Sequence, residues 1–221
     1  MPVTRRPATR QRGRPLLADS SNTREALLDA AVARFAELGV AASSTSAIAR
    51  SAGLTPAMVH YYFGSRDALI DAVVEERLAR FIRQVFSDPV ADVPAGLRVA
   101  TIVDRIFDGV AQMPWVPSIW IREIVSDGGL LRERMLRHLP RKAIADLTAR
   151  IAEARGRGEV GAGVEPALAF ISIMGLAMFP LATQSLWRHL PGVARIGPAQ
   201  LRAHALAVLG GGLAPPPSQP R

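Results

Sequence analysis

Residues 43–66 read S-S-T-S-A-I-A-R-S-A-G-L-T-P-A-M-V-H-Y-Y-F-G-S-R, and the way the two halves of this stretch join decides the fold. A short helix opens at Ser43 or Ser44, whose hydroxyls accept from the orphan amides of a first turn, and runs through Ile48 to about Ala52. Gly53 stops it, because glycine readily takes the left-handed backbone of a helix end, and Leu54 tucks into the junction. Thr55 caps a second helix, and Pro56 takes its first position, where a missing N–H costs nothing. Val59 and Phe63 share the face that packs, while Ala57, His60 and Tyr61 project elsewhere. Two short helices around a tight turn form the layout of a DNA-binding helix-turn-helix.

The outward face offers hydroxyl, phenol, imidazole and small groups, with no acidic side chain from Ser43 to Arg66. Ser44, Thr45, Ser46, Thr55, Tyr61, Tyr62 and Arg66 are candidate phosphate contacts, His60 can reach phosphate or a base edge, and Pro56 and Ala57 present apolar surface, Ala57 suiting a thymine methyl. The competing reading is a helical hairpin whose tyrosines are half-buried packing residues.

These residues also match a family pattern. Preceded by T-R-E-A-L-L-D-A-A-V-A-R-F-A-E-L-G at residues 23–39, the run I-A-R-S-A-G-L-T-P-A-M-V-H-Y-Y-F-G-S-R-D-A-L resembles the amino-terminal domain of TetR-family transcriptional regulators. The elements F-x-x-x-G, I-A-x-x-A-G, Y-F and S-R-D-x-L occur in order at the family's spacing, over about the first third of the chain. His60 stands where the family usually has tyrosine and Arg66 where it usually has lysine, and both replacements keep a phosphate-capable donor.

Upstream, residues 1–21 carry Arg5, Arg6, Arg10, Arg12 and Arg14 against Asp19 alone and show no helical period, which predicts a disordered basic arm. Arg12-Gly13-Arg14-Pro15 resembles an AT-hook core, so Arg12 and Arg14 either enter an A·T minor groove or only touch phosphates. The next helix is expected to open at Asn22, with Glu25 at capping-box spacing, and to bury a stripe of Leu27 or Leu28, Ala31, Phe35 and Leu38. Residues 22–66 then form the DNA-binding domain. Ser65 caps a fourth helix that carries Leu69, Val73, Val74, Leu78 and Ile82 to about Phe86, a candidate lever into a second domain over residues 67–210. Residues 211–221 read as a frayed tail.

The 221 residues suffice for one large or two modest domains, and 27 basic against 19 acidic groups favour a polyanionic partner. The absence of cysteine removes disulfides, thiolate nucleophiles and Cys metal sites together. With no signal-like apolar start, a cytoplasmic location is expected. From Pro94 on, helical stretches alternate with Pro and Gly, at about residues 94–112, 117–125, 129–156 with a break at Pro140, 166–190 and 198–209, so the chain reads as all-α.

Residues 167–187 carry no charge, but Pro180, Ser172, Thr183, Gln184 and Ser185 argue against a membrane span. The better reading is a helix shared between its own core and a second subunit, with Ala169, Ser172 and Gly175 permitting close approach. The family resemblance implies a four-helix dimer interface from the last two helices, to which Leu206 is assigned. Phe107, Met113, Trp115, Trp120, Met174 and Met178 are candidate walls of a small-molecule cavity, with Asp104, Asp108, Arg122 and Glu123 as possible orienting groups. No metal-spaced cluster, phosphate-cradling glycine loop or G-x-S-x-G appears, so neither enzyme activity, cofactor nor metal is expected. The resulting expectation is a homodimeric, ligand-responsive regulator, most often a repressor in the family it resembles, that binds a palindromic operator in double-stranded DNA and an effector the sequence does not identify. Its alternative keeps DNA binding but gives the second domain only dimerisation or protein docking.

Overall fold

A computed structural model describes residues 17–87 and 93–213, and the described residues are helical with no strand. Most of the expected basic arm, with Arg12 and Arg14, lies outside the described residues, as does the tail from residue 214. Helix α1 (Leu17–Leu38) begins five residues ahead of the expected Asn22, so the capping-box spacing there falls inside a helix. Its face buries Leu27, Leu28, Ala31, Val32 and Phe35, but Leu38 lies off that stripe and is 43% exposed.

The helix-turn-helix forms through local signals. In α2 (Thr45–Ser51) the Ser44 hydroxyl accepts from the Ala47 amide at 3.2 Å. Gly53 takes φ +70°, and the Leu54 amide returns to the Ala49 carbonyl at 2.8 Å, closing the helix end. Pro56 opens α3 (Pro56–Phe63), although the Thr55 side chain makes no capping bond. Ile48, Val59 and the α1 residues are sealed together. Each such buried aliphatic side chain contributes about 1.5 to 3 kcal/mol.

After Ser65 caps it, α4 (Arg66–Val73) runs without a break through a π-helical turn (Val74–Leu78) into α5 (Ala79–Phe86). The wider turn rotates the faces that follow, and such turns recur at functional sites. Leu69, Ile70, Val73, Val74 and Leu78 belong to the first core, together with Ile119, Leu131 and Met135 from later in the chain. Phe81 and Val85 belong to the second. One helix therefore serves both cores, with Leu78 in the first and Phe81 in the second.

The second core is built on α6 (Ala95–Gln112), which packs against α5, α9 (Arg141–Gly156), α10 (Ala169–Ala182) and α12 (Pro198–Leu213). Between them lie α7 (Val116–Ile119), a π-helical segment (Trp120–Val125), α8 (Arg132–Leu136) and α11 (Gln184–Trp187). Pro140 separates α8 from α9, the expected break. Arg202 of α12 holds Asp104 at 2.7 Å and Asp108 at 2.8 Å on α6, so these two carboxylates tie helices together.

Candidate functional site

The exposed face of α3 carries Pro56, Ala57, His60 and Tyr61, the last 76% exposed, with Ser44 and Thr55 beside it and Thr45 and Ser46 half-buried. The His60 Nδ1 lies 3.1 Å from the Gly64 carbonyl, which can only accept, so that nitrogen is the donor. Two expected members of this face stand elsewhere. Tyr62 is half-buried against the first core with its ring edge-on to Tyr61 at 4.9 Å. Arg66 donates to the Val40 carbonyl at 2.6 Å, bracing the α1–α2 turn. Phe63, expected to be buried, is half-buried under the Arg24 guanidinium, 5.1 Å above its ring. Arg24 in turn forks onto Glu76 at 2.7 and 2.5 Å, and this hydrogen bonding holds the Glu76 carboxyl below its ordinary range.

In the second domain a cavity of about 310 Å³ opens between α5, α6, the π-helical segment and α10. Phe81, Val85, Ile106, Trp120, Phe170 and Met174 are among its walls, and Met178 also lines it. Three expected cavity residues do not. Phe107 is buried toward α12, while Met113 and Trp115 pack into the cores, Trp115 at the joint of both. The aromatic, proline-stiffened bend of residues 113–120 thus serves the joint more than the cavity. The walls from α5 and α6 were missed because their apolar residues sit at ordinary core spacing.

Two ties connect this cavity to the first domain. Glu123, expected on a solvated or cavity face, is only 5% exposed and accepts from the Val40 amide at 2.8 Å and the Leu130 amide at 3.1 Å. Its neighbour Arg122 donates to the Glu37 carbonyl at 2.8 Å. Gly39 makes this approach possible, since it has φ +83° and a Cβ there would stand 2.9 Å from the Glu123 carboxylate. Trp120 and Ile124, on the same segment, wall the cavity. The second tie runs from α8, where Arg134 holds Asp71 at 2.6 Å and Asp67 at 3.3 Å, and His138 reaches Glu75 at 3.1 Å. Met135 and Leu136 of α8 also line the cavity.

Along α10, Leu168 (just before it), Ile171, Ser172, Gly175 and Phe179 form one exposed stripe, Ile171 at 63% and Phe179 at 52%. Val208 of α12 lies beside it across a shared groove. Of the residues expected there, Ala169 and Leu206 turn inward as half-buried members of the second core. Among the described residues no three His, Asp or Glu stand together to hold a metal, and no helix is long and apolar enough to cross a membrane.

The family model described as bacterial regulatory proteins, tetR family, matches residues 27–73. The HTH-type transcriptional regulator BetI of Rhizobium meliloti is 31% identical over 98 residues, covering 44% of this chain and 48% of that protein. The HTH-type transcriptional repressor Rv3405c of Mycobacterium tuberculosis is 34% identical over 91 residues, covering 41% and 47%. The chain thus spans about half the length of the curated relatives it matches. Solved structures share the fold over more of it. The ketosteroid transcriptional regulator KstR2 of Mycobacterium tuberculosis aligns with TM-score 0.68 at 17% identity, over 86% of this chain and 94% of that one. The regulator FadR of Bacillus subtilis in complex with stearoyl-CoA gives 0.63 at 22%, over 86% and 98%. Residues 27–73 thus carry the sequence pattern of the tetR family of bacterial regulatory proteins, and the helix-turn-helix they form is set on an all-helical second domain whose fold those solved structures share.

Proposed function

We propose that the protein is a transcriptional repressor that binds a palindromic operator as a homodimer and releases it when a small apolar or amphipathic effector fills the cavity. The observation that carries this reading is the shared segment Trp120–Val125, which walls the cavity on one side and grips the α1–α2 turn on the other. A ligand that moves Trp120 or Ile124 cannot leave Val40 and Glu37 undisturbed. The continuous helix from Ser65 to Phe86 supplies a parallel route, since Leu78, Phe81 and Ile82 line the same cavity.

In this reading Thr45, Ser46, Thr55 and Tyr61 donate to phosphates, His60 reaches phosphate or a base edge, and Ala57 meets a thymine methyl. Tyr62 and Arg66 hold the reading helix in place from behind. The exposed stripe of α10 and the adjoining face of α12 pair with a second copy, setting two α3 helices about 34 to 36 Å apart on successive major grooves. Regulators named as such among the relatives, and a neighbour of the same fold solved with stearoyl-CoA, support the class of activity. Such a protein works in the cytoplasm, where its DNA is.

Selecting DNA from a random pool tests this directly. The expected product is a palindrome, bound with an affinity whose logarithm falls against log salt by about 0.9 for each phosphate neutralised. Tyr61→Ala should weaken that binding while leaving thermal stability in place. Selection that yields no enriched sequence, or binding indifferent to salt, would falsify the proposal.

A further inference from the structure

Arg98 lies on the buried stripe of α6 with Ala95, Val99, Ile102 and Ile106, and is only 6% exposed. A guanidinium buried this deeply is costly unless its donors are met. They are not met within the described residues. Its Nε has no hydrogen-bond partner. The carboxylate beside it, Asp146, stands at 3.7 Å from Nη2, beyond hydrogen-bond length, and the same oxygen already accepts from Arg150 at 2.9 Å. Arg98 instead lines a second cavity, where three cations, Arg98, Arg141 and Lys142, the only lysine in the chain, outnumber one carboxylate, Asp146. This cationic cavity and the apolar one share Phe86, Leu139 and Pro140 as walls, so one molecule can occupy both.

Building on the proposed effector site, we propose that the effector is an amphipathic anion, with its apolar tail between α5, α6 and α10 and its anionic head on Arg98, Arg141 and Lys142. A carboxylate or phosphate oxygen gives the guanidinium, whose neighbouring carboxylate stands beyond hydrogen-bond length, the acceptor it lacks. An apolar neutral ligand fills only the first cavity and leaves Arg98 as it is. Two sources supply this chemistry, a free fatty carboxylate and an acyl thioester of a phosphate-bearing carrier.

Calorimetric titration of the full chain with decanoate, decanol, decanoyl-CoA and coenzyme A separates them. Decanoate should bind at least about tenfold more tightly than decanol, the scale of one charge-assisted hydrogen bond. Arg98→Met should erase that gap and leave decanol unchanged. Arg141→Gln with Lys142→Gln, at exposed positions that do not threaten the fold, should narrow it. Decanoyl-CoA binding more tightly than decanoate and coenzyme A assigns the head to a thioester carrier, and the reverse order assigns it to a free acid. Equal affinity for decanoate and decanol overturns the inference while leaving an apolar effector in place. A gap that survives both the Arg98 variant and the Arg141 and Lys142 variant also overturns it, as does failure of every probe to bind. None of these outcomes touches the DNA selection, which fails or succeeds separately.

Discussion

In the helix-turn-helix head, Leu27, Leu28, Phe35, Ile48 and Leu69 are all sealed from solvent, and what remains outside around α3 is mostly polar. In the second domain Ile171, Phe179, Leu186 and Leu190 stay exposed, and the walls of a 310 Å³ cavity face open space. The first domain seals nearly all of its large apolar side chains by itself, Leu38 excepted, and presents mainly hydrogen-bonding groups, with Pro56 and Ala57 among them. The second leaves apolar surface unsatisfied in two adjoining places that meet at Ile171, one a cavity between helices, the other a stripe along α10. In the proposed function those two places take different occupants, a small molecule and a second subunit.

Substitutions can break this contrast. The largest effect should come from Phe35→Ala, at about 3 to 5 kcal/mol for a fully buried ring, read by urea unfolding. Its counterpart Phe179→Ala should change monomer stability by no more than about 0.5 kcal/mol yet weaken self-association in sedimentation. Next, Glu123→Ala strips the acceptor from the Val40 and Leu130 amides and should cost about 2 to 3 kcal/mol, whereas Glu123→Gln keeps one acceptor and should cost less.

Overfilling sharpens the contrast further. Ala31→Leu in the sealed core should cost about 1 to 3 kcal/mol, while Ile106→Phe at the cavity wall should be tolerated and should abolish ligand binding. The smallest effect concerns pH. Glu76 is held below its ordinary value of 4.5 by Arg24, so the pair stabilises the fold above that value and the contribution is lost as pH falls through the lowered one. Both side chains are about a third exposed, which limits the loss to about 0.2 to 1 kcal/mol. An Arg24→Gln variant should show a correspondingly flatter acid limb in thermal melts.

The head was legible because its signals are local. Ser44, Gly53, Pro56 and Ser65 act on residues within one turn of themselves, and caps work the same way whatever surrounds them. Even so, the start of α1 was misread, since Asn22 and Glu25 have capping spacing but the residues before them continue the helix. The second domain was legible only as a set of helices. Which side of Phe107 or Trp115 meets a cavity depends on how distant helices pack, and no spacing within one helix reports that. The sequence offers Glu123 as a cavity or solvated group and Arg66 as a phosphate contact, but each is spent on the backbone of the α1–α2 turn. Arg98 was the one available clue, a cation set among Ala95, Val99, Ile102 and Ile106 on an otherwise apolar stripe.

In the proposed function the cavity and the exposed face of α3 are coupled through Trp120–Val125 and the helix that follows α3. Trp120 lines the cavity and so reports its filling, once Trp115 and Trp187 are replaced by phenylalanine. The decisive measurement is the affinity for decanoate, read from Trp120 fluorescence, in the absence and in the presence of saturating amounts of the selected DNA. The account predicts binding about 5- to 150-fold weaker on DNA, the reciprocal of the effector's action on DNA affinity. Identical affinity in the two titrations would contradict it, leaving a cavity that binds but does not regulate.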